Sequence, residues 1–133
     1  MQEAYADWLA SKHWDYFLTV TSRTQRTNAK LFLDRVWSKL HYDHGATKAF
    51  LVAEPHQATG NLHVHGICAD NPHGSRLDLP WVVYNTMFRT FGRSKIDLVR
   101  SHEDVSAYCS KYVTKTRGQD HYEFYGTKTA WKY

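Results

Sequence analysis

Cysteine is scarce in this chain: Cys68 and Cys109 are the only two, far apart and each inside an apolar-periodic segment. They make no Cys-x-x-Cys pair and no disulfide framework, which favours a reducing compartment. Long apolar runs are also missing. No stretch approaches the ~18 consecutive apolar residues of a membrane span. The N-terminus MQEAYADWLASKHW has no basic segment leading into an apolar one, so it does not read as a signal peptide. Repeats, low-complexity tracts and Pro/Gly/Ser linkers are absent, with only 3 Pro and 7 Gly in 133 residues. The expectation is one soluble, intracellular, cytoplasmic domain over residues 1–133, with no membrane partner.

Apolar residues make up 42% and aromatics 15%, with 5 Trp and 9 Tyr, enough to build a core and to argue against disorder. A net charge of +4 and a pI near 9.1 suit a nucleic-acid partner without demanding one.

After a short N-terminal helix, Tyr16-Phe17-Leu18-Thr19-Val20-Thr21 is β-branched and aromatic and predicts a strand. Leu33, Val36, Trp37 and Leu40 recur at helical spacing, an amphipathic helix over roughly 27–42. Ala49–Glu54 predicts a second strand, 55–61 a turn with Gly60-Asn61, and Leu62–Cys68 a third strand, together a hairpin. Pro80 opens a helix that Gly92 closes, and 96–99 is a short strand. Ser101 with Asp104 caps a helix over about 102–116, and a strand lies near 121–125. The strands at 49–68 are too close for a helical crossover. The fold expected is therefore α+β, helices packed on a mostly antiparallel sheet of about five strands.

Two patterns carry chemistry. His63 and His65 flank Val64 on a predicted strand, so both imidazoles leave the same face. Glu54 lies on the partner strand, where antiparallel pairing can bring its carboxylate to the same ion. A His-His-carboxylate set leaves positions open for water or substrate oxygens and suits Mn²⁺ or Mg²⁺ acting on a phosphate. The competing reading is a chance His-x-His among nine histidines, with Glu54 a solvated strand-end acid and His56 a surface residue of the turn. The second pattern is Tyr108-Cys109-Ser110-Lys111-Tyr112-Val113-Thr114-Lys115, where Tyr108, Lys111, Tyr112 and Lys115 share one helical flank. A phenol has an ordinary pKa near 10, so attack at neutral pH needs a metal-polarised phosphate or a nearby ammonium. The competing reading is a core stripe of Val105, Tyr108, Cys109 and Tyr112.

Together these motifs resemble the HUH-endonuclease superfamily, specifically its rolling-circle replication initiators. Phe17–Thr21 resembles the family's first motif, His63-Val64-His65 its HUH motif, and Tyr108-x-x-Lys111-Tyr112 both its YxxK and its two-tyrosine forms. The run Tyr-x-x-Lys-Tyr-Val-x-Lys is similar to initiators of small single-stranded DNA phages. The resemblance spans roughly 16–116. It implies a ferredoxin- or RRM-like sheet with the HUH strand central and the tyrosine helix beside it. It implies nicking and joining of single-stranded DNA at a replication origin, hairpin forms included, through a 5′-phosphotyrosine with a free 3′-hydroxyl. His63 and His65 would be metal ligands with Glu54 the third, Tyr108 the primary nucleophile, Tyr112 the second, and Lys111 the lysine near the phosphate. Larger family members carry a helicase or primase domain. No such domain is legible in these residues, so a host or viral helicase and a polymerase are expected partners.

Single-stranded DNA calls for cations along its backbone and aromatic faces for its bases. Arg23, Arg26, Lys30, Lys115, Arg117, Lys128, Trp131 and Lys132 are candidate contacts, each of which also reads as an ordinary surface residue. Two rivals stand beside the initiator reading: a transposase- or relaxase-like strand transferase of the same superfamily, and a non-catalytic RRM-like binding module.

Overall fold

The computed structural model describes residues 2–73, 76–115 and 121–133, with the side chains of 2–5 and 112–115 outside the description. The elements are α1 (Gln2–Ala10), β1 (Tyr16–Thr21), α2 (Ala29–Ser38), β2 (Lys48–Pro55), β3 (Leu62–Ala69), α3 (Pro80–Thr90), β4 (Ser94–Leu98), α4 (His102–Lys115) and β5 (His121–Gly126). A π-helical turn, Lys39–Asp43, extends α2, and a short 3₁₀ turn, Ala130–Lys132, follows β5.

The strands form one sheet in the order β4-β1-β3-β2-β5, and every neighbouring pair is antiparallel. The run β1-α2-β2-β3-α3-β4 is the split βαβ, ferredoxin-like arrangement, with β5 added at the β2 edge. The expected α+β class and five-stranded sheet hold, and β3, carrying His63 and His65, is the central strand.

Local chemistry accounts for the element ends. Asn28 caps α2, its side chain accepting from the Leu31 N–H at 3.0 Å. The helix expected over 27–42 is α-helical only to Ser38. Its last turn widens, so that Leu40 stays buried while its carbonyl accepts from the Ala46 N–H at 2.9 Å. Pro80 occupies the first turn of α3, where its missing N–H is harmless. Ser101 caps α4 by accepting from the Asp104 N–H at 3.1 Å. In the β2–β3 hairpin, Gly60 takes φ 73°, a turn position that favours glycine. Asn61 ties this loop to the segment after β1: its Oδ1 accepts from the Arg26 N–H at 2.9 Å and its Nδ2 donates to the Ser22 carbonyl at 3.2 Å.

Strand alternation splits the core into two halves. Leu18, Val20, Leu51 and Val64 pack with Phe32, Val36, Val83 and Met87 of α2 and α3. On the other face Phe50, Val52 and Ile67 pack with Leu9, Trp14, Val105 and Cys109, under α1 and α4. Burying a Leu, Val or Phe side chain fully contributes about 1.5–3 kcal/mol, so both faces of the central strands are held. Cys68 and Cys109 lie in different halves and are unbridged. Burial pushes the Cys109 thiol up to about 12 and raises Cys68 further, so both are inert packing residues.

Candidate functional site

The face under α1 and α4 turns polar at one end. There Glu54 of β2 stands directly opposite His63 of β3 in the antiparallel register, and His65 follows two residues on. One ligand atom from each of Glu54, His63 and His65 lies within 4.8 Å of the others, a group that could hold a metal ion. The two imidazoles meet edge to face, centroids 4.7 Å apart at 87°. His63 Nε2 is 3.4 Å from Glu54 Oε1. Glu54 Oε2 is buried with no hydrogen-bond partner among the described residues. A buried acceptor left unmatched is costly, and a cation between carboxylate and imidazoles would match it. The donor set therefore fits a divalent ion. His56 is exposed in the hairpin loop, its ring 6.4 Å from that of His63, and is not part of the three-residue group.

Thr19 pairs with His65 across β1 and β3, and its Oγ1 lies 3.3 Å from His65 Nδ1. That contact fixes the ring orientation, the role outer partners play for metal-ligating histidines. Thr19 was not among the expected site residues. Its signal lay in the first strand motif, where it shares a face with Phe17.

Tyr108 of α4 packs on Phe17 with ring centroids 5.0 Å apart, and its hydroxyl oxygen is occluded from solvent. Tyr108 and Lys111 line a cleft of about 410 Å³ together with His65, Thr19, Lys95, Asp97 and Asp104. The phenol and one imidazole of the metal-capable group thus border the same space. The packing role expected for Tyr108 and its place beside the histidines are both present. Lys111 is exposed at the cleft rim. The side chains of Tyr112 and Lys115, and Arg117 altogether, lie outside the described residues.

The candidate DNA contacts divide by side. Arg23 donates to the Arg89 carbonyl at 3.1 Å and to the Phe88 carbonyl, with its guanidinium 5.1 Å from the Phe88 ring. Arg26 donates to Ser22 Oγ and lies over Phe32 and Phe91. Lys30 pairs with Asp34 at 3.1 Å. All three are engaged with α2 or α3, on the side away from the histidines. Lys128 and Lys132 are exposed after β5, and Trp131 stacks on Trp8 at 5.2 Å.

An antiparallel ferredoxin-like sheet with two imidazoles and a carboxylate converging on one face belongs to the α+β proteins able to hold a divalent ion at the sheet surface. The family of replication-associated proteins of the ORF2 type matches residues 15–117, and the chain belongs to that family. It is similar in fold to the crystal structure of the hypothetical protein ORF119 from Sulfolobus islandicus rod-shaped virus 1. That likeness has 18% identity and a TM-score of 0.54, covering 88% of this chain and 94% of the viral one. No curated protein matches the chain. No helix among the described residues is long and apolar enough to cross a membrane.

Proposed function

We propose that this protein is an HUH-type, metal-dependent DNA nickase and joining enzyme that initiates rolling-circle replication on single-stranded origin DNA. The observation that carries this reading is the cleft shared by Tyr108, Lys111 and His65, next to the Glu54-His63-His65 group. Membership of a replication-associated family supports it.

In this reading Glu54, His63 and His65 hold Mn²⁺ or Mg²⁺, which when bound polarises the scissile phosphate. Thr19 keeps the His65 ring aligned. Tyr108 turns its phenol out of its packed position, and its oxygen attacks phosphorus. The Tyr108 O–P bond forms as the P–O3′ bond breaks. The phenol releases one proton and the departing 3′ oxygen takes one up, so the proton count balances. The phosphodiester's energy stays in the phosphotyrosine, and the strand is rejoined without ATP. Lys111 offsets charge building on the phosphate. Tyr112, about one turn later, is the second nucleophile, which attacks a new origin while Tyr108 still holds the first strand. Lys115, Arg117, Lys128, Lys132 and Trp131 contact the DNA. Arg23, Arg26 and Lys30, held on the α2/α3 side, act mainly through long-range positive potential. A helicase and a polymerase act as partners.

The test is incubation with labelled single-stranded DNA and Mn²⁺, followed by denaturing electrophoresis. A denaturation-resistant adduct is expected. It should vanish in Tyr108→Phe while DNA binding persists. Full adduct formation by that variant moves the nucleophile to Tyr112, and no adduct from the unaltered protein on any origin-like strand rejects the nickase reading.

A further inference from the structure

On the sheet face that carries the histidines, the β5 edge is aromatic. Tyr122 pairs with Val52, two residues before Glu54 on β2, and Phe124 pairs with Phe50. Trp8 of α1 closes the group from above, its ring 5.8 Å from that of Phe124. Trp8, Tyr122 and Phe124 are 41%, 43% and 36% exposed, although rings of this size are normally covered. Contiguous exposed apolar surface of this kind marks an interaction site.

The rings are held from beneath. Phe50 lies under Tyr122 and Phe124, with centroids 6.1 and 5.0 Å away. Trp131 stacks on Trp8, 5.2 Å apart at 13°, and its indole N–H donates to the Tyr125 carbonyl at 3.0 Å. Sealing the core accounts for Trp14 and Trp131, but not for the open faces of Trp8 and Tyr122. The surrounding charge is positive. Lys12 Nζ lies 5.7 Å from the Trp8 ring centre, and Lys128 and Lys132 are exposed nearby in sequence. Glu123 points to the other face, where it meets His121 at 3.0 Å.

Preordered rings ringed by lysines are what unpaired bases and their phosphates select together. The location adds to this. Tyr122 stands on the β5 side of the Glu54-His63-His65 group, whereas the Tyr108 cleft borders β1 and β4. A strand crossing the metal-capable group from the cleft would run onto the rings. We propose that Tyr122, Phe124 and Trp8 form a base-stacking platform that holds single-stranded DNA on the side of the scissile phosphate away from Tyr108. This rests on the nickase reading for its position, but not for its chemistry.

The experiment uses the full chain in EDTA, so that no cleavage occurs, and follows polarisation of fluorescein-labelled dT20. A matching abasic 20-mer keeps the phosphates and removes the bases. Tyr122→Ala and Trp8→Ala are each expected to weaken dT20 binding by about fivefold to a hundredfold, with abasic binding unchanged. Tyr122→Trp should restore dT20 affinity, and dT20 should quench Trp8 fluorescence. Equal dT20 affinity in both alanine variants overturns the platform, as does an equal loss for the abasic strand. Adduct formation in Mn²⁺ is scored separately. An adduct with undiminished dT20 binding in the variants sinks the platform alone, and selective loss of dT20 binding without any adduct upholds it while the nickase reading falls.

Discussion

Removing the Glu54 carboxylate should change stability in opposite directions with and without metal. Glu54 Oε2 is buried and unmatched among the described residues, a state that costs on the order of 1–3 kcal/mol. Its other oxygen gains little from His63 at 3.4 Å. Glu54→Ala should therefore stabilise the metal-free protein by a net of about 1 kcal/mol. For 133 residues, an unfolding entropy of about 2.1 cal/mol/K per residue makes that a rise of about 4 °C in Tm. With Mn²⁺ at a hundredfold excess over its Kd, binding to the folded state adds about 2.7 kcal/mol. The unaltered protein should then gain about 10 °C. Glu54→Ala and His63→Ala should lose most of that gain. Thermal melts in EDTA and in graded Mn²⁺ read both effects from one sample set. A metal shift retained in both variants would show that the ion binds elsewhere. A lower Tm for metal-free Glu54→Ala would show that the carboxylate is a structural partner and not an open ligand.

Gly66, between His65 and Ile67 on the central strand, has no room for a side chain. An added Cβ would sit 2.6 Å from the Phe50 carbonyl oxygen and against Leu51 Cδ2. Gly66→Ala should cost about 1–3 kcal/mol and, by prising β3 from β2, weaken Mn²⁺ binding; an unchanged melt and unchanged metal shift would contradict this. Lys48 is buried, its ammonium 4.6 Å from the centre of Trp14. Burial first, then the charge of Lys12, lowers its pKa from 10.5 to about 8. Between those values the unfolded chain holds more protons, so stability should rise as pH climbs from about 8 towards 10. Lys48→Met should flatten that rise in urea titrations at pH 7.5, 8.5 and 9.5, and an equal slope in the variant would refute it. Tyr16 and Tyr125, whose pKa values burial raises above 10.0, oppose the trend only near and above pH 10.

What could be read along the chain is what depends on short-range periodicity. Two residues apart on a strand, His63 and His65 had to share a face, and a short hairpin loop set Glu54 opposite His63. The strand and helix patterns likewise carried the α+β class and the five strands. Tertiary structure alone decided which face α4 would cover. β2 is buried on both sides along most of its length, so its apolar run could not say where a helix would dock. Only packing brought Tyr108 onto Phe17, set Thr19 against a histidine 46 residues away, and joined Trp8 of the first helix to Phe124 of the last strand. The same packing carried Arg23, Arg26 and Lys30 to the α2/α3 side. Contacts across such separations arise from how two apolar faces are jointly buried, and no local period of side chains encodes that choice.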